Sequence, residues 1–178
     1  MSDTTIKQVL GRRVWDSRGR PTVEAEVHLT GGAIGRAIAP AGASTGSGEA
    51  LDLRDGGEKL GGFDVRTAVD NVNIQIADAL AGMDATDQTL VDQSLIALDG
   101  TPNKRVLGGN ASIAASMAVL QAAAAAHNMP LWRYLARKNE ITMPLPEIQI
   151  FGGGAHAGRR VDIQDFMIVA PGAENTDE

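Results

Sequence analysis

Two glycine-rich segments carry side chains suited to catalysis or ligand binding. The first reads Gly42-Ala43-Ser44-Thr45-Gly46 and places two hydroxyl groups on a loop between glycines. A hydroxyl and backbone carbonyls suit a hard cation such as Mg²⁺, and the N–H groups of such a loop suit a phosphate. The Gly-Lys-Ser/Thr ending of a P-loop is missing, which argues against a nucleotide-binding loop of that type. A plain surface loop is the alternative interpretation.

The second segment, residues 152–160, reads Gly-Gly-Gly-Ala-His-Ala-Gly-Arg-Arg. It lets the chain approach a ligand closely and places the imidazole of His156 beside two guanidinium groups. A predicted strand precedes it, and the active sites of β/α barrels lie at the C-terminal ends of the strands. We therefore predict a ligand contact at His156. The alternative is a turn with an incidental histidine.

Two carboxylates follow at Asp162 and Asp165, with Gln164 between them. A carboxylate at or near a strand end can act on a leaving hydroxyl or hold a water molecule. The alternative for either aspartate is a solvated surface charge.

Charged residues also mark the N-terminal region, at Arg12, Arg13, Asp16, Arg18 and Glu24. Exposed charges on a sheet usually have no specific role, so a solvated face is the simpler interpretation. A salt-bridged contact between subunits is the alternative.

The elements that position these residues follow from hydrophobic periodicity. Residues 22–30 alternate between apolar and polar side chains, which is typical of a half-buried strand. Flanking strands at residues 6–16 and 33–39 complete an antiparallel meander with one face toward water. Helices are predicted at residues 64–80, 86–98, 110–128 and 131–137. Asn110 is expected to cap the third helix, whose alanine-rich surface lets neighbouring helices approach closely.

Residues 147–151 and 164–169 read as two further strands after a stiff Met-Pro-Leu-Pro linker. The fold class is therefore α+β, with a three-stranded meander and a helical bundle in a first domain over residues 1–142. The beginning of a β/α barrel follows over residues 143–178. Because such a barrel typically needs about 250 residues, we expect this one to be incomplete in the chain.

Composition excludes several classes of function. The formal net charge is −6 and there is no basic stripe, so nucleic acid is not an expected partner. The absence of cysteine excludes disulfides and thiolate metal sites. No apolar stretch reaches about 18 residues, so no membrane span is expected. The N-terminus has no basic region followed by an apolar run, so no secretory signal is expected there. We expect a cytoplasmic protein. Because aromatic residues make up only 3% of the chain, we expect its core to be built from Ala, Val, Ile and Leu.

Six segments in order resemble the enolase family, from about residue 5 to the end of the chain. No single segment is decisive, but six with matching order and spacing are a specific signal. They read Asp-Ser-Arg-Gly-Arg-Pro-Thr-Val-Glu at 16–24, Gly-Ala-Ser-Thr-Gly at 42–46, Glu-Ala-Leu at 49–51 with Leu-Arg-Asp at 53–55, Leu-Asp-Gly-Thr at 98–101, Gly-Gly-Asn-Ala at 108–111, and His-Ala-Gly at 156–158 leading to Gln-Asp-Phe-Met-Ile at 164–168.

The resemblance implies a capping domain on an unusual β/α barrel. It also implies a Mg²⁺-dependent lyase, a phosphopyruvate hydratase, that reversibly dehydrates 2-phosphoglycerate to phosphoenolpyruvate in glycolysis and gluconeogenesis. In that family the serine of the Ser-Thr-Gly loop, here Ser44, binds a second metal ion that bridges to the substrate phosphate. Gly42 and Ala43 belong to the same loop, which closes over the small phosphorylated substrate.

Further site residues carry over by position. The resemblance implies that His156 lies near the phosphate and that Gln164 contacts the bound substrate or the metal region. It implies that Asp165 handles the departing hydroxyl. Family dimers pair charges of the sheet domain with the partner's barrel, and Arg12 and Glu24 match those positions. The full-length form is therefore expected to be a homodimer or a higher oligomer.

The resemblance implies that the family's catalytic lysine, its three barrel metal ligands and its phosphate-binding Arg-Ser pair would fall beyond residue 178. The expectation is that this chain alone has no dehydratase activity.

Several positions depart from the family pattern. Asp165 replaces the usual Glu, Ala155 replaces the usual Ser, Arg20 replaces a common Asn, and Phe151 precedes the glycines where Asn is usual. This pattern leaves three interpretations open. The chain belongs to an ordinary enolase, to a paralogue that dehydrates a phosphonate analogue, as carboxyphosphonoenolpyruvate synthases do, or to a non-catalytic fragment that binds a partner.

Overall fold

The computed structural model describes residues 3–39, 41–42, 46–136, 140–175 and 177, without the side chains of residues 155 and 156. The chain separates into two compact units. The first comprises Met1–Ala41 and Gly46–Arg137, and the second comprises Gly42–Thr45 and Lys138–Glu178. The domain boundary expected near residue 142 stays a prediction.

The first unit contains the antiparallel meander expected from the sequence. Its strands are β1 (Ile6–Trp15), β2 (Pro21–Leu29) and β3 (Ile34–Ala39), in the order β1-β2-β3. The alternation in β2 is confirmed, because Val23 and Val27 are fully buried on the face that meets the helices. The mixed architecture of sheet and helices confirms the α+β class.

The helices of this unit lie close to their expected positions. They are α1 (Arg66–Asn71), which continues through a π-helical turn (Val72–Ile76) into α2 (Ala77–Leu80), then α3 (Gln88–Asp99), α4 (Gly109–Ala126) and α5 (Leu131–Ala136).

The ends of the helices have identifiable causes. The first helix begins two residues later than expected, because the Asp55 carboxylate accepts hydrogen bonds from the N–H groups of Arg66 and Thr67 at 2.8 and 3.0 Å. Gly100, with φ of 66°, ends α3 as expected. The expected cap by Asn110 is wrong: α4 begins at Gly109, so Asn110 lies within the helix.

Helix α4 lies in the core against the sheet. A methyl group on Gly35 of β3 would lie 2.1 Å from the backbone N of Ala122 and 2.2 Å from the carbonyl O of Ala118. The alanine-rich surface of α4 therefore admits the strand β3 at close range, as well as the neighbouring helices that were expected. Among the described residues α4 alone is long and apolar enough to cross a membrane, but 61% of it is buried within the unit, as in a core helix. Apart from Pro21 and the buried glycines, every buried apolar residue described is Ala, Val, Ile or Leu, which confirms the expected core.

The second unit contains the two further strands. They are β4 (Glu147–Gly152) and β5 (Asp165–Val169), joined through a 3₁₀ turn (Gly154–Ala157). The strands pair antiparallel, with a bulge between Gln149 and Phe151. Apolar side chains stand exposed on both faces, since the successive residues Met167 and Ile168 point to opposite faces and are 51% and 52% exposed. Strands with this pattern are typical of a sheet that is covered on both sides.

Candidate active-site residues

The residues singled out by sequence fall into three groups in the structure. Ala43 and Ser44 lie outside the described residues, and so does the side chain of His156. Gly42 is exposed and has no regular secondary structure. The structure brings together Gln164 with Asp165, and separately Arg12 with Glu24.

Asp165 begins β5, and both of its carboxylate oxygens accept hydrogen bonds from side-chain amides. The Nε2 atom of Gln149 lies 2.6 Å from Oδ1, and the Nε2 atom of Gln164 lies 3.2 Å from Oδ2. Gln149 was not identified by sequence reasoning. The one signal for it was a polar side chain inside a strand that is otherwise apolar from Ile148 to Phe151.

The glycine run before His156 folds back on the chain that leads to Asp165. The N–H of Gly153 donates to the Gln164 carbonyl at 2.6 Å, and the N–H of Gly154 donates to the Val161 carbonyl at 2.7 Å. A methyl group on Gly153 would lie 2.0 Å from the carbonyl O of Ile163. Position 153 therefore requires glycine, because the Ile163 carbonyl lies too close to the backbone for any side chain.

Two aromatic rings flank this cluster. Phe151 and Phe166 face each other across the two strands, with ring centroids 4.1 Å apart and an angle of 25° between the planes. This stacked pair joins β4 to β5 next to Asp165. Asp162, the other carboxylate singled out here, lies exposed in the turn before β5.

In the first unit, the segment that follows the Ser-Thr-Gly loop is held by several hydrogen bonds. The Glu49 side chain accepts from the N–H of Gly46 at 2.7 Å. The N–H of Leu51 donates to the Asn103 carbonyl at 2.7 Å, and the Leu51 carbonyl accepts from Gly109 at 2.7 Å. The chain on the C-terminal side of the loop is thus fixed to the start of α4.

The turn before α4 has a buried carboxylate at its centre. Asp99 is 4% exposed, and its Oδ2 atom accepts from the N–H groups of Leu107 at 2.7 Å and Val106 at 3.1 Å. Burial by itself raises the pKa of Asp99, but the hydrogen bonds from Thr101 and from these backbone groups outweigh it and hold the pKa below its ordinary value. Asp99 therefore stays charged and orders residues 100–108.

Arg12 and Glu24 form an ion pair on the outer face of the sheet. The Nη1 atom of Arg12 lies 2.8 Å from Glu24 and 3.0 Å from Glu26, and Arg36 approaches Glu24 at 3.4 Å. Glu24 was expected to be exposed, but it is only 5% exposed because the two arginines cover it. Hydrogen bonds from Arg12 and His28 lower the pKa of Glu26 to about 2.

No metal centre is formed by the part of the chain that the structure describes, since no group of three or more His, Asp or Glu side chains lies close enough to hold an ion. An open cavity of about 310 Å³ is lined by several carboxylates, among them Asp55 and Asp64. Asp64 is paired with Arg13 at 2.8 Å and Asp55 accepts from backbone N–H groups, so both already have partners.

Two family models match the chain. The model of the enolase N-terminal domain matches residues 6–135, which include the meander, the helices and the turn around Asp99. The model of the enolase C-terminal TIM barrel domain matches residues 140–178, which include Asp165 and its two amide partners. The matches follow each other in chain order and together confirm the resemblance seen in the six short segments.

Proposed function

The chain belongs to the enolase family, a lyase-type family, and from this premise we propose that it is part of a hydro-lyase that converts 2-phosphoglycerate to phosphoenolpyruvate. The observation that carries the proposal is the pair of domain matches in chain order. The Asp165 carboxylate, held by the amides of Gln149 and Gln164 at the start of β5, supports it, because Asp165 occupies the position of the acid in the family motif.

The chemistry fits a carboxyl group at this position. Dehydration removes a weakly acidic proton next to the substrate carboxylate and then breaks the bond between carbon and the departing hydroxyl. A carboxyl group beside that hydroxyl can hydrogen-bond to it and supply the proton with which it leaves as water. We assign this role to Asp165, with Gln164 contacting the bound substrate.

The remaining site residues follow from the family. Gly42, Ala43 and the imidazole of His156 are proposed to contact the substrate, with His156 near its phosphate. Arg12 and Glu24 are proposed to contact the partner barrel in a homodimer or higher oligomer. Their pairing at 2.8 Å within one chain pre-forms a charged patch for such a contact. The proposed role is in glycolysis, and a cytoplasmic location is proposed with it.

Mg²⁺ is the proposed cofactor: the family's three barrel carboxylates would hold one ion, and Ser44 would be a ligand of a second ion. Such ions would supply positive charge that stabilises the negative charge developing on the substrate when the proton leaves. The residues that the structure describes do not by themselves make a metal site.

A second candidate is a paralogue that dehydrates a phosphonate analogue of phosphoglycerate. The observation that favours it is the shortened acid, because Asp165 ends one methylene closer to the backbone than the family's Glu and is tied to Gln149 at 2.6 Å. A displacement of about 1 Å in a reacting group can change the rate about 100-fold. A substrate of different shape is one way to accommodate the change.

The experiment uses the full-length form of the protein, called the intact protein below. It is assayed for enolpyruvate product from each substrate, with and without Mg²⁺. Turnover of 2-phosphoglycerate that a chelator abolishes supports the first proposal. Turnover of the phosphonate analogue alone supports the second. The absence of turnover with both substrates would overturn both.

A further inference from the structure

We propose that Gln149 is a positioning residue for the carboxylate of Asp165. The proposal rests on the function assigned above to Asp165. It concerns a residue that lies on the neighbouring strand and does not itself act on the substrate.

The backbone directs Gln149 toward Asp165. In the register of the two strands Gln149 pairs with Met167, whereas Asp165 pairs with Gly152. The bulge between Gln149 and Phe151 lies between these two pairs. Bulges of this kind re-aim a side chain relative to a regular ladder. The amide of Gln149 thereby reaches the Oδ1 atom of Asp165 at 2.6 Å.

Gly152 leaves the space that this contact occupies. A methyl group at position 152 would lie 3.2 Å from the Nε2 atom of Gln149, which is tighter than ordinary contact. Gln164 holds the second oxygen, at 3.2 Å. With one donor on each oxygen, the plane of the Asp165 carboxyl group is fixed.

The lengths of the two side chains are complementary. The family's Glu in place of Asp165 would carry its carboxylate one methylene further, into an amide that is already 2.6 Å away. Shortening Gln149 to Asn removes one methylene and restores the space. The contact therefore depends on the summed length of the two side chains, which predicts a reciprocal rescue.

The test is a double-mutant cycle in the intact protein, with Gln149→Asn, Asp165→Glu and the double variant, measured as kcat and KM together with the melting temperature. Each single variant is expected to lower kcat about 10- to 100-fold, because the carboxylate loses its position or is displaced. The kcat of the double variant is expected to be at least tenfold higher than that of Gln149→Asn. Gln8→Asn, at an exposed strand position of the other unit, is the matched control and should leave kcat unchanged.

The outcomes separate the proposal from the one on which it rests. If Asp165→Asn abolishes turnover while Gln149→Asn has full kcat, the positioning role is overturned and the role of Asp165 stands. If Asp165→Asn also has full kcat, the assigned function of Asp165 fails. A lower melting temperature in Gln149→Asn, without rescue of kcat in the double variant, would show a structural role and overturn the proposal.

Discussion

The side chain of Asn110 binds both polar groups of the Leu53 backbone. Its Oδ1 atom accepts from the Leu53 N–H at 3.3 Å, and its Nδ2 atom donates to the Leu53 carbonyl at 3.0 Å. The two neighbouring glycines permit this approach, since a methyl group on Gly108 would lie 2.7 Å from Leu53 and one on Gly109 would lie 2.8 Å from Ala50. The Gly-Gly-Asn motif thus docks the segment that follows the loop carrying Ser44.

Replacing Asn110 with Ala is expected to destabilise the protein by about 1–3 kcal/mol, because two partly buried backbone groups lose their partners. Urea unfolding measures the loss, and amide exchange at Leu53 should accelerate. Asn110→Asp keeps the acceptor for the Leu53 N–H, so its free energy of unfolding should fall by less than that of the Ala variant. An Ala variant with unchanged stability and unchanged exchange at Leu53 would refute the docking role.

A second prediction concerns the contact between β3 and α4. In Gly35→Ala the new methyl group would meet the backbone of Ala118 and Ala122 at 2.1–2.2 Å, so the helix must move away from the sheet. Overpacking of this severity should lower the free energy of unfolding by at least about 3 kcal/mol. Gly48→Ala, where nothing lies within 4 Å, is the matched control. Equal stability of the two variants in thermal unfolding would contradict the close packing.

Much of this fold could be predicted from sequence because its elements are periodic. The alternation in β2 correctly predicted which face of the strand is buried. Gly100 correctly predicted where α3 ends. The role of Asn110 could not be predicted in this way, because its partner, Leu53, lies 57 residues away. Asparagine at the start of a helix suits both a local cap and a contact with a distant backbone segment. Only the tertiary structure shows which of these two roles Asn110 has.

Acid should weaken the outer face of the sheet. The pKa of Glu26 falls from its ordinary 4.5 to about 2 in the folded state, through hydrogen bonds from Arg12 and His28. The stabilisation is therefore complete above pH 4.5 and is lost as the pH falls toward 2. The melting temperature should therefore fall as the pH is lowered from 4.5 toward 2. In Glu26→Gln the melting temperature should depend less on pH across this window. An identical pH dependence in the variant would show that Glu26 does not contribute.

The candidate site was only partly accessible to sequence reasoning. The motif placed Gln164 and Asp165 next to each other, and the structure shows both in one cluster. Gln149 joins them through strand pairing across 16 residues and a bulge, neither of which leaves a local signal. The glycine run predicts room for a ligand, whereas in the structure Gly153 is needed for the approach of the Ile163 carbonyl.

The most direct measurement is the rate of phosphoenolpyruvate formation from 2-phosphoglycerate and Mg²⁺ by the Asp165→Asn variant of the intact protein. Asp162→Asn, at an exposed carboxylate three residues earlier, is the matched control. If Asp165 acts on the departing hydroxyl, its variant should lose a factor of about 100 or more in kcat, as expected for a general acid–base group, while the control retains full turnover. An Asp165→Asn variant that turns over as fast as the unmodified protein would contradict the account.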